Sequence, residues 1–167
     1  MERSAEYWIE RLRLAPHPEG GWFRETYRSR EVIAESALPG RFRGERTFST
    51  AIYFLLGRGE FSSFHRIKQE ETWHFYDGGP LMLHVIDPGG RYSRHVLGLA
   101  AEDRATPQIT IPSEWLFAAE TGDNPFTLAG CTVAPGFEIA DFSMPARREL
   151  IRRFPQHGEI ITAFTHP

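Results

Sequence analysis

Residues 59–78 read G-E-F-S-S-F-H-R-I-K-Q-E-E-T-W-H-F-Y-D-G, two glycines bracketing short runs in which apolar, aromatic and ionisable residues interleave. Side chains alternate between the faces of a strand, so Phe61, Ser63, His65 and Ile67 share one face of a first strand. Lys68, Gln69 and Glu70 form a polar break that suits a turn. A second strand puts Glu71, Trp73 and Phe75 on one face, with Thr72, His74 and Tyr76 on the other. Paired as a hairpin, these strands bring a histidine and a glutamate together among aromatic rings, and chemistry is expected at that wall.

Upstream, residues 47–56 are apolar on both parities, as in a strand covered on both sides, with Tyr53 as the polar exception. Residues 22–28 alternate, with Phe23, Glu25 and Tyr27 on one face and Arg24 on the other. Between these strands, residues 30–46 form a polar excursion turning at Pro39-Gly40. Its mixed charges, Arg46 among them, read as a solvated loop or a dimer edge. Downstream, residues 81–86 and 91–97 make a second hairpin around Asp87-Pro88-Gly89-Gly90, in which His84 and His95 pair across the strands. A loop at 98–107 precedes short strands at 108–111 and 116–119, and the last strands are 126–133 and 137–142. Helices are expected at 4–14, capped by Ser4, and at 145–154, while 159–165 reads as a terminal strand or a short helix. Many short strands parted by Gly/Pro turns indicate an all-β sandwich or barrel in one domain, 1–167, with the barrel at about 21–142.

The whole chain is consistent with that. Its 167 residues suffice to bury a core, and 41% apolar with 25% charged residues is ordinary for a soluble globular protein. The net charge of −3, with Arg147-Arg148 and Arg152-Arg153 interrupted as on a solvated helix face, argues against a nucleic-acid partner. A single cysteine, Cys131, allows no internal disulfide and fits a reducing compartment. There is no signal-peptide pattern at Met1-Glu2-Arg3-Ser4 and no apolar run near the ~20 residues of a membrane span, so a cytoplasmic protein without a membrane partner is expected.

The spacing Gly59, His65, Glu71, Gly78 resembles the first motif of the cupin superfamily: Gly, five residues, His-x-His, three or four residues, Glu, six residues, Gly. Ile67 stands where the second histidine belongs. The later motif, Pro-x-Gly-x-x-His, is most similar to Pro112-Ser113-Glu114-Trp115-Leu116-Phe117, so Phe117 replaces a further ligand. The chain resembles one branch more closely, cupin type five. The runs carrying that resemblance are His17-Pro18-Glu19-Gly20-Gly21, residues 50–56, Phe64-His65-Arg66, Trp73-His74-Phe75-Tyr76 and residues 130–137. The resemblance implies a double-stranded β-helix, the cupin jelly-roll barrel, with a helix near each end, and a homodimer. With two of four metal-ligand positions lost, it implies no metal cofactor.

The candidate catalytic residues are His65 and Glu71, with Tyr53 and His74 as possible proton partners. A glutamate desolvated among Phe61, Trp73 and Phe75 has its pKa raised, whereas a nearby imidazolium lowers it; the alternative is a His–Glu hydrogen bond that merely satisfies a polar spot. Arg24, Tyr76, Trp73, Phe117 and Asp141 are candidate ligand contacts, Asp141 because an acid on an apolar face is unusual. Cys131 reads as a buried structural thiol. Three functions fit a small-molecule ligand. The first is a metal-independent isomerase or epimerase acting on a sugar or keto acid; the others are a non-catalytic binding protein and a metalloenzyme using His65, Glu71 and His74.

Overall fold

The computed structural model describes residues 3–100 and 104–167. Helix α1 (Ala5–Leu12) leads into β1 (Ala15–Pro16), β2 (Trp22–Arg28), β3 (Val32–Ile33), β4 (Arg46–Thr47), β5 (Thr50–Gly57), β6 (Phe61–Ile67) and β7 (Glu70–Gly78). The chain continues through β8 (Leu81–Ile86), β9 (Tyr92–Leu97), β10 (Gln108–Ile111), β11 (Leu116–Glu120), β12 (Phe126–Ala134) and β13 (Phe142–Ser143). It ends in α2 (Arg147–Arg153) and α3 (Gly158–Ala163). One sheet has the order β1-β2-β5-β12-β7-β10 and the other β13-β6-β11-β8-β9, with β3-β4 as a separate pair. Packed face to face, the two antiparallel sheets form the expected jelly roll. The expected loop at 98–107 lies partly outside the described residues.

Three apolar layers explain the sequence pattern. Phe54, Leu56, Trp73, Leu83, Val85 and Phe117 fill the space between the sheets. Helix α1, capped where the Tyr7 N–H donates to Ser4 Oγ (3.2 Å), covers the outer face of the first sheet: Trp8, Ile9 and Leu12 pack on Leu55, Phe126 and Leu128. Helices α2 and α3 cover the second sheet, where Leu150, Phe154, Ile161 and Phe164 meet Phe64, Ile86 and Leu116. Residues 50–56 are apolar on both parities because β5 is sandwiched between α1 and the core. Segment 158–163 is helical because its apolar residues must reach that second layer together. Among the described residues no helix is long and apolar enough to cross a membrane.

Residues 59–78 do not form a hairpin. Strand β6 pairs with β11 and β13, whereas β7 pairs with β12 and β10, so Lys68 and Gln69 carry the chain from one sheet to the other. Gln69 is buried at this crossing, and its Nε2–H donates to the Gly136 carbonyl (3.1 Å) and to Asp141 Oδ2 (2.7 Å). A polar residue that reads locally as a turn is held here by partners far along the chain. Segment 137–142 is not a strand either: it is a loop with a single helical turn at Ile139–Asp141, of which only Phe142 joins a sheet, with Ser143. Arg46 is not solvated but buried. The second hairpin forms, but His84 lies opposite Arg94, not His95. Its ring nitrogens engage Tyr92 Oη (2.8 Å) and Glu120 Oε1 (2.9 Å).

Candidate functional site

Cross-strand register assembles one wall of a cavity. Glu25, Ile52, Cys131 and Trp73 lie in one row across β2, β5, β12 and β7, and Thr50, Val133 and Glu71 lie in a neighbouring row on the same face. From the opposite sheet β6 contributes His65 and Ile67. The space between has a volume of about 300 Å³, at the small end for ligand sites.

Its polar floor comes from the segment joining β1 to β2. Gly20 (φ 113°) and Gly21 (φ 75°) adopt backbone conformations that favour glycine. A Cβ on Gly20 would lie 2.1 Å from the Phe61 carbonyl oxygen. This close approach lets the Ser63 N–H donate to the Glu19 carbonyl (2.7 Å) and plants Glu19 beneath β6. There Ser62 Oγ–H donates to Glu19 Oε1 (2.9 Å), and Glu19 Oε2 lies 3.1 Å from His65 Nε2. His65 Nδ1 lies 2.7 Å from the Ser63 carbonyl, which only accepts, so Nδ1 carries a hydrogen. Burial holds His65 below the usual imidazole range, with the Glu71 charge opposing, and it pushes Glu19 up to about 7. Glu19 Oε2 and His65 Nε2 therefore share a single proton across this contact. His17 Nδ1 accepts the Glu19 N–H (3.2 Å), which leaves the hydrogen of a neutral His17 on Nε2.

Glu71 is likewise buried, and desolvation pushes it up to about 7, with His65 opposing that rise. Cys131 lies beside it, and burial pushes its thiol far up, so the S–H stays protonated. Two carboxyl groups with nearly matched affinities for a proton thus face the same small cavity, one of them relayed through His65. Cys131 is a packing thiol, as its sequence context indicates, and lines the cavity next to Glu71.

The mouth is built by residues 137–142 folding over β2. Arg28 grips Glu25 through Nε and Nη2 (3.0 and 2.9 Å), Glu138 through Nη1 (2.8 Å) and the Phe137 carbonyl through Nη2 (3.0 Å). Beneath this lip, Arg46 donates two hydrogen bonds of 2.7 Å to the Asp141 carboxylate. Asp141 is 3% exposed and Arg46 4%. Removing one partner of such a pair leaves an uncompensated buried charge. Asp141→Ala is expected to lower unfolding stability by about 3 kcal/mol in urea titration, and to loosen the lip over the cavity.

His65, Glu71 and Trp73 line the cavity, as their strand positions indicate. The other six candidates do not, and four of them lie on the far face of the first sheet. Arg24, Tyr53, Gly130, His74 and Gln108 form a single row across the first sheet, with side-chain parity opposite to the Glu25–Trp73 row. On that outer face Arg24 stacks over the Tyr53 ring, which meets Tyr76 edge-on, and His74 bonds Thr132 Oγ1 (3.0 Å) and Gln108 (2.9 Å). Tyr53, His74, Arg24 and Tyr76 are thus separated from Glu71 by the sheet itself. Phe117 backs the site, its ring 4.1 Å from the His65 ring, and Asp141 serves Arg46, not the cavity. The reading by residue type missed Glu19, His17 and Arg28. The glycine pair after Glu19 was the available signal, since two adjacent glycines mark a close backbone approach.

Metal-dependent cupins would place histidines where this chain has Ile67 and Phe117. Ile67 presents an apolar side chain to the cavity and Phe117 covers a face of His65, while His65 Nε2 is engaged by Glu19. His74 faces away, so it does not complete a set with His65 and Glu71. Among the described residues no group of three His, Cys, Asp or Glu side chains is placed to hold a metal ion. The residues present do not fit the metal centre of that superfamily.

Comparison with known proteins agrees with this fold. A search of the curated proteins finds no match. A hypothetical protein from Leishmania major is 33% identical, with a TM-score of 0.88, over 99% of this chain and 100% of that one. A protein of Shewanella oneidensis, solved by X-ray crystallography, is 33% identical, with a TM-score of 0.90, over 99% of each chain. Oxalate decarboxylase from Bacillus subtilis is similar in fold alone, at 15% identity and a TM-score of 0.56, over 89% of this chain and 36% of that one. The family model described as "Cupin superfamily (DUF985)" matches residues 6–145, and the chain belongs to that family, Cupin_5.

Proposed function

We propose that the cavity is a small-molecule site at which the protein's own acid groups move a proton, the chemistry of an isomerase or epimerase. The observation that carries this reading is the Glu19–His65 contact of 3.1 Å from one side of a cavity that Glu71 lines from the opposite sheet. General acid–base catalysis works best when the groups titrate near the working pH, and burial pushes both carboxyls to about 7. In such a reaction the Glu71 carboxylate takes a proton from a carbon beside a carbonyl. For epimerisation the Glu19–His65 pair then gives one proton to the opposite face of the same carbon. For isomerisation the pair protonates the enolate oxygen and Glu71 returns its proton to the neighbouring carbon. The pair then recovers a proton from the hydroxyl on the carbon first deprotonated, so each proton taken is matched by one given. The apolar remainder of the lining, Phe54 and Trp73 among it, keeps water out.

Incubation with a panel of aldoses, ketoses, amino ketones and keto acids in D2O tests this reading. NMR is expected to show deuterium entering beside the carbonyl of at least one compound, and Glu71→Gln is expected to slow that exchange at least about a hundredfold. Compounds that bind without any exchange would instead support the second reading, a binding protein, which the mostly apolar lining favours.

A further inference from the structure

The keto acid expected from sequence is the least suitable ligand for this cavity. Among the described residues that line it, Arg28 is the sole guanidinium or ammonium group. All three of its nitrogens are committed, two to Glu25, one to Glu138 and one of them also to the Phe137 carbonyl. The bidentate grip with which arginine would take a ligand carboxylate is therefore already used on Glu25. Four carboxyl groups line the cavity: Glu25 and Glu138 at the mouth, Glu19 and Glu71 on the floor. A ligand carboxylate or phosphate would lose its hydration, find no free guanidinium or ammonium group, and meet the negative charge of Glu25 and Glu138 that Arg28 alone leaves uncompensated. A cation meets the opposite situation, since Glu19 and Glu71 can ionise against it and the faces of Phe23, Phe54, Trp73 and Phe142 attract positive charge.

We infer that the natural ligand of this cavity carries no negative charge, and that the cavity favours an organic amine whose ammonium group sits by Glu19 and Glu71 with its apolar part against the aromatic walls. This assignment of substrate class rests on the reading of the cavity as a small-molecule site. It narrows the search to amino sugars, amino ketones and uncharged rings small enough for about 300 Å³.

A charge series of constant shape tests it: benzylamine, benzyl alcohol and benzoate, titrated into the intact protein by calorimetry at pH 7.5. Benzylamine is expected to bind tightest and benzoate weakest, with at least about a tenfold difference between them, because charges a few ångströms apart in a partly desolvated site interact strongly. In Glu19→Gln and Glu71→Gln the advantage of amine over alcohol is expected to shrink while alcohol binding persists. Benzoate binding as well as benzylamine would overturn the inference and leave the small-molecule site standing. Failure of all three to bind at millimolar concentration would overturn both.

Discussion

Gly20→Ala is expected to destabilise the fold by about 3 kcal/mol or more, combining backbone strain at positive φ with overpacking against β6. The added Cβ would meet backbone, the Phe61 carbonyl oxygen at 2.1 Å and its carbon at 3.2 Å, so no flexible side chain can swing aside. The chain must move, and what moves is the segment that carries Glu19. Chemical denaturation measures the loss of stability. A second measurement separates this position from an ordinary core defect: the residual folded protein should also lose ligand affinity, because the Ser63-to-Glu19 backbone bond and the Glu19–His65 contact shift with it. Gly130→Ala offers the contrast. The nearest atoms to its Cβ belong to the Tyr76 phenol, a half-exposed side chain on the outer face that can swing aside, and the cavity should be unchanged.

Glu71→Gln is expected to lower proton exchange by about 10²- to 10⁴-fold, the usual contribution of one general acid or base. In the wild type the rate should pass through a maximum near pH 7, where one carboxyl of the coupled cluster is ionised and the other protonated. The same substitution has a stability signature of opposite benefit. Burial pushes Glu71 up to about 7 in the folded protein from its ordinary value of 4.5, so between these values the folded state holds a proton that the unfolded chain has released. Wild-type stability from this group therefore falls as pH rises from about 4.5 and levels off above about 7. Glutamine carries no such penalty. The variant is expected to exceed the wild type by on the order of 3 kcal/mol at pH 8 and to converge with it near pH 4, as thermal or urea unfolding at both pH values would show. A wild type as stable as the variant at pH 8 would mean that Glu71 ionises without cost and is not a desolvated acid.

The strand pattern was legible because alternation is local. It placed His65, Glu71 and Trp73 correctly and put His74 on the far side from Glu71. It failed where a residue's partner lies far along the chain. Nothing near Arg46 announces Asp141, 95 residues away, so a buried pair reads as one loop charge and one odd acid. Nothing beside Lys68-Gln69 distinguishes a crossing between sheets from a hairpin turn. Glu19 was overlooked for a related reason. Its backbone lies outside the strands that carry the site, and only the spacing of two glycines hints that the segment is pressed against β6. Tyr53 drew attention as a phenol in an apolar strand, yet its neighbours Ile52 and Phe54 claim the inward direction, which leaves the phenol outside.

The crossing at Lys68-Gln69 has a mechanical result. Because His65 and Glu71 belong to different sheets, no turn sets the span between them; the thickness of the sandwich does, roughly 10 Å from sheet to sheet. Residues that hold the sheets apart, such as Leu83 and Phe117, therefore act as the jaws of a caliper. A change in their volume resets the distance over which a proton must be handed across, without altering any group that touches it.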